Sequence, residues 1–321
     1  MVAMTPHFNY GPLARPNRLE RFRRVMDERG VQYGEDWFTY SLTANNLASG
    51  ATIVLPINIQ RDSVFELLEL SGQTAGNGTT YDGYADTLVT AQLVDSVSSR
   101  NLMDSPVPLY SIFGNGANPF VLPIPRRFMP TTQLSVALTN ISGQTPSIAL
   151  SFVGRKLFKQ TMQSDPRASP MMPRFSTWQD EGTGRLYAED LYMYNFSVPS
   201  LAPTATATVT KIIEADSDFE WIETAAVLQQ SGSNQWNAPG ASEFDVTMQV
   251  LDGGSDRNLL SQATLVSNVA GYGLFPFVLK QSRLFQAKTP VQMTITNINP
   301  NNTYTNINIT MIGRKIFELA T

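Results

Sequence analysis

The residues best suited to chemistry in this chain are two carboxylate pairs, Asp62 with Glu66 and Asp216 with Glu220, which flank the start of a strand-like run in each half. Two carboxylates could serve a glycosidase as acid and base, a few ångströms either side of a sugar bond. Their recurrence has a plainer source, since a duplicated fold repeats its structural residues as readily as its reactive ones. Asp252-Gly253-Gly254-Ser255-Asp256 could place two carboxylates on a hard cation, but it lacks the twelve-residue calcium pattern and reads as a turn. Gly114-Asn115-Gly116 has the look of a phosphate cradle, yet the run after it reads as a strand from Phe120, not a helix, so it too reads as a turn.

Thiol chemistry is excluded, because the chain contains no cysteine, and its single histidine, His7, lies near the start. There is no Gly-x-Ser-x-Gly elbow, no phosphate loop and no Cys/His metal cluster. The tryptophans Trp37, Trp178, Trp221 and Trp236 form no repeated sugar-stacking pattern. The expectation is a protein that is not an enzyme and that uses no cofactor and no metal.

Basic residues offer contacts rather than catalysis. Arg155-Lys156 and Arg314-Lys315 each follow an alternating apolar run and precede Phe158 or Phe317. Their charged ends are expected to emerge at a sheet edge or domain end, suited to carboxylates of neighbouring subunits such as Asp95 or Glu66. A second group, Arg15, Arg18, Arg21, Arg23 and Arg24, surrounds an apolar stripe of Leu19, Phe22, Val25 and Met26. With Asn17 as N-cap and Glu20 three residues on, this predicts a short amphipathic helix. Arg18, Arg21, Arg23, Arg24, Arg155, Lys156, Arg314 and Lys315 are therefore the candidate subunit contacts.

The elements that carry these residues come from an internal repeat. Phe120–Phe158 returns as Phe277–Phe317: an apolar run, a basic-aromatic corner, an alternating strand ending in Thr-Asn, a polar turn, and a strand closing on Gly-Arg-Lys-aliphatic-Phe. Upstream, Asp36, Phe65-Glu66, Asp95 and Gly114-x-Gly116 have counterparts in Asp190, Phe219-Glu220, Asp252 and Gly271-x-Gly273. The offset drifts while order is kept, so insertions fall between strands.

Period-two alternation predicts eight strands in the first copy, near 37–44, 51–60, 65–72, 87–96, 107–114, 120–128, 133–140 and 147–156. Pro56, Pro123 and Pro125 place their runs at sheet edges, bulges or bends. The fold expected is all-β: two tandem homologous antiparallel β-sandwich domains, jelly rolls by strand count, with an immunoglobulin-like sandwich as the competing arrangement. The divisions are an arm and helix over 1–30, a first domain over 31–158, a Pro-rich bridge without regular structure over 159–186, and a second domain over 187–321. In the bridge, Phe175 and Trp178 are expected to anchor, with Met171 and Met172 filling gaps.

Charged residues make up 16% of the chain, fewer than in most soluble domains, which suits a surface covered by neighbours. A net charge of -4 argues against a wrapper of nucleic acid. No run of 18 apolar residues suggests a membrane helix, and the start lacks signal-peptide order, so synthesis in the cytoplasm is expected.

In Val94-Asp95…Ser99-Arg100-Asn101-Leu102 and Phe152-Val153-Gly154-Arg155-Lys156, each with its repeat, the chain resembles bacteriophage virion structural proteins. The two-barrel plan is similar to double-jelly-roll major capsid proteins of tailless phages. That resemblance implies a self-assembling shell protein of the virion, made in the host cytoplasm and working as a trimer or higher symmetric assembly beside other virion proteins. It also implies that the amino-terminal arm lies inside, where it can meet nucleic acid or membrane. The evident similarity of the two halves departs from that family and keeps a second reading open, a tailed-phage decoration, collar or head–tail accessory protein. The loops at 71–86 and 229–243 would suit the tip of a receptor-recognition module, and the carboxylates keep a polysaccharide-cleaving enzyme open as well.

Overall fold

A computed structural model of the chain describes residues 23–26, 32–75, 87–96, 100–159, 176–179, 185–239 and 244–319. The first half runs β1 (Arg23–Met26), β2 (Gln32–Ala44), β3 (Thr52–Asn58), β4 (Val64–Ala75), β5 (Val89–Asp95), β6 (Arg100–Asn101), β7 (Val107–Pro108), a helical turn α1 (Leu109–Ile112), β8 (Phe120–Phe128), β9 (Gln133–Asn140) and β10 (Ser147–Lys159). The second half repeats it with β11 (Ser176–Gln179), β12 (Leu186–Leu201), β13 (Thr206–Ile212), β14 (Asp218–Gln230), β15 (Val246–Asp252), β16 (Arg257–Asn258), β17 (Thr264–Leu265), a 3-10 turn (Val266–Asn268), β18 (Phe277–Phe285), β19 (Pro290–Asn297) and β20 (Tyr304–Glu318).

Strand order decides the fold. One sheet of the first domain is β1-β2-β10-β4-β8; the other is β3-β9-β5, with β6 and β7 both on β5. The second domain has β11-β12-β20-β14-β18 facing β13-β19-β15 with β16 and β17. In both, the long early strand lies against the last, and strands alternate between sheets over β2–β5 and β7–β10, and over β12–β15 and β17–β20, the two-Greek-key wiring of a jelly roll. That order settles the choice against the immunoglobulin-like sandwich.

Alternation produces these sheets as the sequence predicts. Along β9, Leu134, Val136 and Leu138 are buried, and Gln133, Ser135 and Ala137 lie half-exposed. They meet Phe65, Leu67, Phe120 and Phe152 in one core, while Phe196, Phe219, Met293 and Ile309 build its counterpart. Pro56 and the pair Pro123 and Pro125 do sit on edge strands, β3 and β8, where a missing N–H breaks no central ladder.

Three expectations change. Residues 107–114 form two residues of strand and then α1: Val107, Leu109, Ile112 and Phe113 are all buried, so the segment has no solvent face to impose a period of two. Arg23–Met26 is a strand paired with β2 (Arg23 opposite Glu35) rather than the end of a helix, because pairing with an existing edge supplies hydrogen bonds a short helix would make alone. The rest of the expected helix, with Arg18 and Arg21, lies outside the described residues. Within the bridge, Ser176–Gln179 is a strand against β12, having cleared Pro173; Phe175, Met171 and Met172 lie outside the described residues.

The repeated glycine before Arg-Lys has a steric cause. β10 shifts register against β4 at Val153/Gly154, and a Cβ on Gly154 would stand 2.1 Å from the Glu66 carbonyl oxygen. On Gly313 it would stand 1.9 Å from that of Glu220. Only glycine lets the bulge pass so close.

Candidate assembly interface

The two basic pairs are positioned by those bulges, and their partners lie within the chain. Arg155 Nε donates to Glu66 Oε2 and Arg155 Nη1 to Glu35 Oε2, both at 2.5 Å. Glu66 also accepts from Arg127 Nε at 2.9 Å. Lys156 donates to Gln60 and Asp62, its ammonium 4.3 Å from the centre of the Phe38 ring. The second domain copies this: Arg314 binds Glu220 and Glu189, and Lys315 binds Glu214 over Tyr192. Burial opposes the Arg155 charge, but Glu66 and Glu35 outweigh it and the guanidinium is held above its usual range. Burial likewise opposes the Asp62 charge, and Ser63 and Lys156 overcome it, leaving that carboxyl low. The expectation that Glu66 or Asp95 would reach a neighbour's basic pair is thus corrected for these two: both are buried and held by arginines of their own chain. Arg23 and Arg24 lie on β1, at the edge of the same sheet.

The turns read from sequence are turns. Asn115 Oδ1 accepts from the Ala117 and Asn118 N–H groups, closing Gly114-Asn115-Gly116. Asp252 accepts from Gly254 N, Ser255 N, Ser255 Oγ and Arg283; although burial opposes its charge, these donors hold its carboxyl low.

The contact that sequence reading missed is the seam between the domains. The outer face of β12, with Leu191 and Met193, joins Ile312 and Ala225 in covering the first domain's edge at β7, α1 and β8. Met103 and Met193 are bridged in parallel: Asp104 N donates to Met193 O and Met193 N to Leu102 O, each at 3.1 Å. Asn195 spans the seam, taking Asp104 Oδ1 on its N–H and giving its Nδ2 to the Pro106 carbonyl, both at 2.8 Å. Gly273 N donates to Tyr110 O at 2.8 Å, an approach that a Cβ would block, since it would fall 2.5 Å from Phe113 O. Tyr110 and Tyr272 meet at 5.1 Å, and Trp236 fills a pocket with Leu88 and Val227.

At one end of this seam Arg126 lies buried between two carboxylates. Its Nη2 is 3.2 Å from Asp95 Oδ2, joining the first domain's two sheets, and its Nη1 meets Asp190 of the second domain. All three side chains are nearly solvent-free, at 2%, 3% and 8% exposure. The signal was in the sequence: the Asp95/Arg126 pair recurs as Asp252/Arg283, which also bond to each other.

Beside the triad lies a cavity of about 270 Å³ lined by Asp104, Asp190, Glu214, Asp216, Tyr192 and Lys315. Lys211 binds Asp104 at 2.5 Å, and Glu214 holds both Lys315 and the Tyr192 hydroxyl, so these groups neutralise one another. Elsewhere Glu223 is buried on β14, its Oε2 without a hydrogen bond among the described residues, and burial raises its pKa to about 7. Its counterpart Glu69 is raised by the same cause.

No family model matches this chain, and no curated protein matches it. Among solved structures, it aligns with the VP54 protein of the virus PBCV-1 fitted into a reconstruction of the virophage Sputnik, at 10% identity and TM-score 0.40, over 92% of this chain and 97% of that one. It aligns with the major capsid protein of bacteriophage PM2 at 10% identity and TM-score 0.38, over 88% and 98%. It also aligns with a peptide-N(4)-(N-acetyl-β-D-glucosaminyl) asparagine amidase at 7% identity and TM-score 0.35, over 87% and 100%. The jelly-roll assignment rests on the strand order of the chain itself.

Proposed function

We propose that this chain is a virion structural protein that self-assembles into the capsid shell as a trimeric major capsid protein, and that its work is contact rather than catalysis. One observation carries the reading: a jelly roll here binds another jelly roll of the same lineage through a seam with a buried ion triad and backbone bonds across it. A domain type that recognises its own kind so closely is suited to tiling. The carboxylates that could serve an enzyme are instead engaged in this framework, Glu66 and Glu220 with Arg155 and Arg314, Asp190 with Arg126. In this reading the arginines of the amino-terminal arm supply charge for packaged nucleic acid or an anionic membrane beneath the shell.

Sedimentation of the purified chain at micromolar concentration tests it. The expected species has three times the chain mass and joins larger particles as concentration rises. A monomer at every concentration that is also absent from purified particles would overturn it.

A further inference from the structure

The two domains share a fold but differ in one respect: the edge that is sealed in the first is open in the second. In the first, Leu67, Leu102, Met103 and Phe120 are buried in one cluster with Leu191 and Met193 of the second domain's β12, and Ile124 is buried as well. Their counterparts Trp221, Leu259, Leu260, Phe277 and Gln281 line an apolar groove of about 370 Å³ with Arg283 at its rim. The Arg283 side chain is 38% exposed where that of Arg126 is 2%. Phe277, Val278 and Leu284 on β18 stand open around it at 38%, 55% and 48%.

The matching cover is found on β2 of the first domain. Asp190 and Leu191, which seal the first domain, sit opposite Lys315 and Arg314 in the β12–β20 register. Asp36 and Trp37 sit opposite Lys156 and Arg155 in the β2–β10 register, so they are the same positions of the first domain. Asp36 is exposed, and Trp37 is 72% exposed, a large aromatic side chain in water. Thr39, counterpart of Met193, has a buried hydroxyl with no hydrogen bond among the described residues. Gly116, counterpart of the Gly273 that lets the seam close, has nothing within 4 Å of where a Cβ would lie.

We propose that the groove of the second domain receives the Asp36–Thr39 strip of a second copy of this chain, with Asp36 meeting Arg283 as Asp190 meets Arg126. The occupant follows from charge and from the established seam: an open arginine with an apolar trough faces an open carboxylate with a tryptophan, each the counterpart of a group already joined inside the chain. The contact is head-to-tail, so it continues from copy to copy until the ring closes. It rests on the self-assembly reading and specifies the surface.

The absence of cysteine gives a direct test. Met103 and Met193 are bridged within the seam, so their counterparts Leu260 and Thr39 must lie together between copies, within the Cα spacing of about 4.4–6.8 Å that a disulfide allows. Under mild oxidation, the Thr39→Cys, Leu260→Cys double variant of the full chain is expected to give covalent species beyond the dimer that collapse on reduction. Either single variant can join two copies at most. Trp37→Arg, at an exposed position, is expected to raise the concentration for self-association about tenfold or more. If the double variant assembles by light scattering but forms no covalent species beyond the dimer, or if Trp37→Arg assembles as the parent does, this docking is overturned while the shell reading stands. If the parent chain stays monomeric throughout and the double variant never crosslinks, both fall.

Discussion

Replacing Arg126 and Arg283 one at a time by methionine compares one residue in two environments within one molecule. Arg126 is bracketed by Asp95 and Asp190, with almost no water at any of the three side chains. Methionine fills similar space but leaves two buried carboxylates without their cation, and breaking a buried pair in this way costs about 3–5 kcal/mol. Arg283 is more than a third exposed, and Asp252 keeps Gly254 N, Ser255 N and Ser255 Oγ after the arginine is gone. Water can also reach what is left, so the loss there is that of an exposed pair, about 1 kcal/mol or less. Urea denaturation followed by tryptophan fluorescence, at concentrations low enough to keep copies apart, reads both. The midpoint of Arg126→Met is expected to fall well below that of Arg283→Met. Equal midpoints would refute the claim that the seam, rather than the Asp–Arg pair itself, gives Arg126 its weight.

The asparagine closing each repeated Thr-Asn holds a loop by all its polar atoms. Asn140 donates to Leu47 O and Gln144 O at 2.8 Å and accepts from Ser142 N and Oγ, while Asn297 donates to Leu201, Ala202 and Asn302 carbonyls. Asn140→Ala is expected to cost about 2 kcal/mol in urea denaturation, since buried carbonyls lose their donors; a loss under about 0.5 kcal/mol would contradict that role. Glu223 predicts a pH dependence. Its folded pKa of about 7 lies above the ordinary 4.5, so the native state keeps a proton the unfolded chain releases. Stability from this group is full below pH 4.5, falls as pH rises to about 7, and the total loss is about 3 kcal/mol. Glu223→Gln should flatten that decline in denaturation curves taken from pH 5 to 8, and an unchanged slope would argue against a buried protonated carboxyl.

Much of the architecture could be read in advance because one face of most strands is wet. The alternation of Leu134, Val136 and Leu138 and the repeat of Gly-Arg-Lys before an aliphatic and a phenylalanine place strands in both halves. Segment 107–114 failed for the converse reason, since it is buried on every side and carries no period. Arg23–Met26 failed because helical spacing of Leu19, Phe22, Val25 and Met26 is a local signal, whereas pairing with β2 is not. In the site, Arg155, Lys156, Arg314 and Lys315 stood out by repetition, but their partners lie far off in sequence, Glu35 and Glu189 on strands and Gln60 and Glu214 in the turns after β3 and β13. Arg126 was hidden differently: its domain-repeat partner was visible, but Asp190 reaches it only once one domain lies on the other.

The placement of β10 between β2 and β4 sets a timetable for the newborn chain. Ala44 pairs with Ile148, so the first barrel cannot close until about a hundred further residues have left the ribosome. Such distant pairing is slow to form. Even then its apolar rim waits for Leu191 and Met193, which are translated later still and belong to a domain that cannot itself close before β20. Between those moments the nascent polypeptide presents a naked greasy edge, and a high density of neighbouring ribosomes would put that edge within reach of the wrong chain.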